Sequence, residues 1–496
     1  MSTSSSFPHP IYRDHVLIPA YEGASAHLFE PMLAANKAHA IMLAKQQIIS
    51  AENARAILNA IDEIEAAGIE SLTYQSGIED LFFHVEGRII EICGPAFGGN
   101  LQLARSRNDL GHALARLALR PTLLNLIQRL IDLRKTVFAL AIEHLDTVMP
   151  GYTHTQPAQP TTFAHYLAGV LSFLERDTQR VIGAFKTVNQ SPLGAAAFTG
   201  TGFDIDREMS ASLLGYDGVM VSSQDCIGAS DHLTDIAAAL SSIAINLSRM
   251  THDLLFKATR ESGAIRIDDS FIQISSIMPQ KRNPVVLEHL RARLSRLLGM
   301  AQTIIMQCHN IPYGDTQDIE DEIEPTAFGA IQTADDILEL YESVFATLQL
   351  NVPHLLAEAA AGFTTVTELA DTLVREAKLP FRSAHHIVSQ VVQRLFGQGL
   401  DVEAITPQLI GDISEEVLER RVEISAEVLA KALDPVAFVA GRTVLGGAAA
   451  SATKLLLDQQ KSQLDDDLKW LLVKNSDVAE AAKKLEKEAN QIKSSA

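Results

Sequence analysis

Apolar residues recur at three- and four-residue steps along most of the chain, the period of a helix with one buried face. Leu28–Ile64 and Leu110–Leu145 carry this period, and Asp225–Ala258 carries it without a break. In the last stretch Ile227, Leu233, Ile236, Leu240, Ile243, Leu247, Met250 and Leu254 form a continuous stripe. Val285–Ile311 is another such run, whereas strand-like alternation of β-branched residues is nearly absent. Helices this long exceed the usual three to four turns and need long partners. The pattern therefore predicts an all-α chain built on a long-helix bundle, which further subunits can complete.

Pro-, Gly- and hydroxyl-rich segments separate these helices at 149–162, 191–206 and 261–284. Polar loops at the ends of long helices are where a rigid scaffold usually carries chemistry. The expected organisation is an N-terminal helical domain (1–110), a central bundle (111–350), a small C-terminal helical domain (351–457) and an appended tail (458–496). In the tail Leu464, Leu468, Leu471, Val478, Ala482, Leu485, Ala489 and Ile492 follow helical steps among charged residues. An amphipathic helix for packing or self-association fits this, and a frayed solvated tail is the alternative.

Composition narrows the partners. The chain has 496 residues, 47% hydrophobic and 21% charged, enough for a large core. Its net charge of −20 argues against nucleic acid, which wants a basic surface. An anionic substrate must then be held by a few local arginines, lysines and helix N-termini. The three cysteines are scattered without a CxxC pair, so buried free thiols are expected and a reducing, cytoplasmic setting fits. Neither a signal peptide nor a membrane-spanning run is expected.

Three loops carry candidate chemistry. "SSIMPQKRNP" (Ser275–Pro284) places Ser275, Ser276, Lys281 and Asn283 ahead of a helix. A lysine is a compact cation suited to a carboxylate, and a serine becomes a useful base only where cations and N–H groups stabilise its alkoxide. "LARSRND" (Leu103–Asp109) sets Ser106, Arg107 and Asn108 together, with Asp109 placed to cap the next helix. "GYTHTQPAQP" presents Thr153, His154 and Gln156, and Glu288 could orient the histidine as a carboxylate partner. Each loop also admits a plain reading as a capped helix start or a solvated turn. Taken together they point to a dicarboxylate, with serine and histidine moving protons.

These stretches resemble the argininosuccinate lyase branch of the fumarase/aspartase superfamily. "PLGAAAFTGTGFDIDRE" (Pro192–Glu208) and "TELADTLVREAKLPFRSAH" (Thr367–His385) resemble it too, so the likeness extends over roughly residues 25–450. The resemblance implies an all-α, three-domain subunit with a central long-helix bundle, a homotetramer whose sites draw loops from three subunits, and anti elimination of fumarate without metal or organic cofactor. It implies Ser275 as the base on a mobile loop, and Lys281 and Asn283 as stabilisers of the aci-carboxylate. Ser106, Arg107, Asn108 and Thr153 would bind the dicarboxylate. His154, paired with Glu288, would assist the leaving group.

The departures from the branch bear on substrate. Its "HTGRSRND" is here "QLARSRND", its N-terminal "GS" is Ala35–Asn36, and the aspartate after "NP" is Val285. Its "LPLAYNKDLQEDKEP" aligns with "IPYGDTQDIEDEIEP", so a tyrosine, a glutamine and a lysine become Asp315, Glu320 and Ile323. A site that loses a cation and gains carboxylates should not hold the same amino-acid end. Asp315 and Glu320 would face an amine-rich leaving group, unless they are solvated loop carboxylates. The expectation is a C–N lyase on an N-substituted aspartate, with aminopolycarboxylates of the ethylenediamine-disuccinate kind among the candidates. Argininosuccinate itself is the first rival substrate. A catalytically silent, crystallin-like structural protein is the rival of another class.

Overall fold

Helix starts are written into this chain by side chains that cap them. Ser50, Asp80, Ser106 and Thr162 each accept a backbone N–H from the turn they precede, satisfying donors that a helix leaves open. The computed structural model describes residues 7–495. Its N-terminal unit holds α1 (Phe29–Lys45), α2 (Ala51–Ala67) and α3 (Leu81–Cys93). The bundle follows as α4 (Arg107–Glu143), α5 (Phe163–Val188), α6 (Asp231–Lys257), α7 (Val285–Cys308) and α8 (Glu324–Thr347). Shorter helices α9 (Val366–Ala377), α10 (Phe381–Gly397), α11 (Pro407–Leu418) and α12 (Ala426–Leu433) precede the last and longest, α13 (Ala450–Ser494).

Side-chain contacts fix the directions. Arg116 of α4 donates to the Thr187 carbonyl of α5 and contacts His232 of α6. The start of α4, the end of α5 and the start of α6 therefore share one end of the bundle. Asn125 of α4 donates to Asp335 of α8 while Arg129, one turn on, reaches Glu339, one turn further on α8, so these two helices run parallel. Arg293 of α7 reaches Asp336 while Met300 meets Thr333 earlier on α8, so α7 runs antiparallel to it.

The apolar core divides into three main clusters. The largest fills the bundle and takes in Leu457, Leu464 and Leu471 of α13. A second lies in the N-terminal unit and includes Leu485 and Ala489 of the same helix. The third is formed by α9–α12. The predicted helical runs are broken in two places: Gln47 turns left-handed between α1 and α2, and Ala229 is extended just before α6. The tail helix begins at Ala450, so no break falls at 457/458.

The segment read as a Pro-rich loop is a hairpin, β1 (Val148–Thr153) paired antiparallel with β2 (Gln156–Thr162). A two-stranded ribbon has outward positions that need no N–H partner, so prolines at 150, 157 and 160 do not prevent it. Among the described residues no helix is long and apolar enough to cross a membrane.

Candidate active site

Ser106 is the N-cap of α4 and Asp109 is its third residue, so together they form a capping box. This corrects the expectation that Asp109 itself caps the helix. Its other oxygen accepts N–H groups of Gly194 (2.8 Å) and Ala196 (3.0 Å), tying the loop at 191–206 to the helix start. Just upstream, Ala104 sits at φ +63°, where the branch has glycine. Arg105 turns inward and donates to Asn36 Oδ1 at 2.8 Å.

Arg107 turns the other way. It donates to Asp80 at 2.8 Å and lies over the Phe83 ring at 4.7 Å. Arg107 and Asn108 line a cavity of about 840 Å³ together with Asp315 and Glu320. Asn36 is only 3% exposed and stands behind this cavity with Ser106, neither lining it.

Carboxylates crowd this space. Burial, then Asp315, Asp321 and Asp80, push Glu320 up to about 8, with Arg107 opposing. Burial, then Glu320 and Asp321, push Glu324 well above the usual carboxylate range. Asp315 is also raised by burial. His112 Nε2 lies 4.0 Å from Asp315 Oδ1. Burial and Arg116 push that imidazole down to about 4, so it is neutral at physiological pH. Reading the sequence missed Asp80, Gly111, His112 and Glu324 as parts of this site. The signal lay in "NDLGH", where a glycine interrupts an otherwise strong helical pattern.

The other candidates gather at the far end of the bundle. His154 and Thr155 are the two turn residues between β1 and β2, at φ +52° and +63°. Positive φ at both is the geometry a two-residue hairpin demands. Thr153, His154 and Gln156 are exposed there. Across the same end, Gln273–Ile274 pairs antiparallel with Arg282–Asn283 and pinches off the Ser275 loop. Ser275 Oγ accepts the N–H groups of Ile277 (3.3 Å) and Met278 (3.1 Å). Ser276, Lys281 and Glu288 are exposed and Asn283 is half-buried. Among the described residues, no hydrogen bond or ion pair joins His154 to Glu288 within the chain.

The candidates thus form two groups. Arg107, Asn108, Asp315 and Glu320 meet at one cavity. Ser275, Ser276, Lys281, Asn283, Glu288, Thr153, His154 and Gln156 stand at the opposite end. The 37 residues of α4 separate the ends by about 55 Å. Among the described residues no cluster of three or more His, Cys, Asp or Glu has the arrangement to hold a metal.

A long-helix bundle with an arginine at a capped helix start at one end and a serine–lysine loop at the other defines an all-α subunit with functional loops at both ends of its bundle. Residues 22–299 match the Lyase family and residues 363–440 match the argininosuccinate lyase C-terminal family. Argininosuccinate lyase of Methanococcoides burtonii is 36% identical over 460 residues, 92% of each chain. That of Natronomonas pharaonis is 38% identical over 477 residues, 95% of this chain and 94% of the relative. An EDDS lyase variant with bound fumarate superposes with a TM-score of 0.86 at 30% identity, covering 98% of this chain and 96% of that one. The 3-carboxy-cis,cis-muconate lactonizing enzyme of Pseudomonas putida shares the fold, with a TM-score of 0.70 at 19% identity over 93% of this chain and all of that one. The chain belongs to the argininosuccinate lyase branch of the fumarase/aspartase superfamily and is a carbon–nitrogen lyase.

Proposed function

We propose that this enzyme eliminates an amine from an N-substituted aspartate and releases fumarate, reversibly, in a site assembled from several copies of the chain. The observation that carries this reading is the single cavity joining Arg107 and Asn108 to Asp315 and Glu320. A guanidinium there matches a carboxylate bidentately, while the acids face the amine.

In the proposed step Ser275, as alkoxide, removes the Cβ proton. The electron pair moves onto the neighbouring carboxylate, giving an aci-carboxylate held by Lys281 and Asn283. Return of the pair forms the Cα–Cβ double bond and expels the amine nitrogen, which takes up a proton with help from His154 and Glu288. Arg107, Asn108 and Thr153 hold the two carboxylates, with Gln156 and Ser276 beside them and Ser106 and Asn36 supporting from behind. The exposed loop around Ser275 suits a base that is completed only when the loop closes on substrate.

Argininosuccinate is the second reading, favoured by the relatives that carry that name. Ultraviolet absorbance of fumarate across a panel of N-succinyl amines, argininosuccinate included, tests both. Release from at least one member is expected, with a loss of about 10²-fold or more in Ser275→Ala. A panel with no release, or an undiminished Ser275→Ala variant, overturns the proposal.

A further inference from the structure

We propose that the acidic end of this cavity is a cation subsite, which selects leaving amines whose far end carries a second positive charge, ammonium or guanidinium, and no carboxylate. The proposal rests on the elimination reading above and names the class of amine that the site takes.

The cavity is charged unevenly. Seven Asp and Glu side chains line it, against Arg107 as its sole lysine or arginine among the described residues. Arg107 is itself engaged by Asp80 at 2.8 Å, so little positive charge remains to answer the other acids. Glu324 is only 3% exposed, lines the cavity, and its Oε1 has no hydrogen-bond partner among the described residues. A buried carboxylate oxygen without a partner is rare in folded proteins and points to a missing donor.

Glu320 is brought to the same place by Gly111. A Cβ at position 111 would lie 1.8 Å from Glu320 Oε1, so any other residue there would push the carboxylate away. Glycine inside a helix weakens it relative to alanine, and here the space gained is occupied by an acid. Both members of this pair belong to "NDLGH" and "DIEDEIE", the second being where the chain departs from its branch. Leu28, Leu110, Leu114 and Phe328 give the same cavity apolar wall, which suits a methylene spacer. The volume of about 840 Å³ falls in the range that takes a drug-sized ligand. Burial, and then repulsion among the acids, holds Glu320 and Glu324 toward protonation, and a cation that enters favours their charged form. A distal carboxylate would instead add to the repulsion.

The test compares N-(4-aminobutyl)aspartate, N-(4-guanidinobutyl)aspartate, N-pentylaspartate and argininosuccinate as substrates of the full chain. In parallel, calorimetry measures binding of 1,4-diaminobutane and of pentylamine. We expect kcat/KM for one of the cationic tails to exceed that for the pentyl tail by about tenfold or more. Glu320→Gln and Gly111→Ala should each bring that ratio toward one and weaken 1,4-diaminobutane. The ammonium and guanidinium arms decide which cation is preferred. A ratio near one in the parent enzyme, or a ratio that neither variant changes, overturns the subsite. If none of the four compounds releases fumarate, the wider panel of N-succinyl amines judges the elimination reading, and calorimetry alone judges the subsite. Binding of 1,4-diaminobutane that Glu320→Gln weakens upholds it; no binding, or equal binding by parent and variant, removes it.

Discussion

Glu320 and Glu324 lie four residues apart and face one cavity, and their proton affinity carries a consequence for stability. Burial is the first cause for both, followed by Asp315, Asp321 and Asp80 around Glu320 and by Glu320 and Asp321 around Glu324. Arg107 opposes the shift at Glu320 and Arg116 opposes it at Glu324. A folded-state pKa of about 8 against an ordinary 4.5 means that the folded chain holds a proton the unfolded chain has released. The contribution is whole below pH 4.5 and is lost as pH climbs through about 8. Glu320→Gln keeps the side chain neutral at every pH. Its melting temperature should lie near the parent's at about pH 5 and above it at about pH 9. Melting profiles that stay parallel across that range would show that Glu320 does not titrate as its surroundings demand.

At the scale of elements, α13 joins two of the apolar clusters. Over 45 residues, about 68 Å, it packs Leu457, Leu464 and Leu471 on the bundle and Leu485 and Ala489 on the N-terminal unit. Its charged anchors differ in worth. Arg134 of α4 and Asp467 of α13 pair with side chains only 2% and 3% exposed, whereas Lys461 and Asp465 pair in solvent. Asp467→Ala leaves a buried guanidinium with the more distant Glu175, 3.8 Å away. It should cost about 3–5 kcal/mol in denaturant unfolding. Asp465→Ala should cost less than about 0.5 kcal/mol. The apolar period of this helix was legible in the sequence, as were the long bundle helices and the capped start at "RSRND". The period says nothing of what a stripe packs against, so the partners of α13 were not legible. The hairpin around His154 was missed because its prolines and polar residues give no strand alternation. The acid cavity was legible only in part: Asp315 and Glu320 stood out as substitutions, while Asp80 and Glu324 acquire their role from positions distant in the chain.

At the scale of the whole molecule, the two groups of site residues cannot meet within one chain. Arg107 begins α4 and the His154 hairpin follows its end, about 55 Å away. The Ser275 loop precedes α7, which runs antiparallel to α8 and so starts at the hairpin's end of the bundle. Elimination needs base and carboxylate clamp within a few ångströms of one substrate, since proton transfer demands hydrogen-bond reach. On the elimination reading we propose that a second copy presents its Arg107 end to the Ser275 end of the first, as antiparallel packing of long bundles permits. This gives a test that needs no knowledge of the amine beyond a substrate that is turned over. Ser275→Ala and Arg107→Ala are each expected to be inactive when prepared alone. When the two are unfolded together and refolded as an equal mixture, some sites receive Ser275 from one variant and Arg107 from the other. Random association of chains should restore about one quarter of the sites. Activity that stays at the level of the separate variants, with mixed oligomers shown to have formed, would place both groups of residues in one chain's site and remove the shared-site reading.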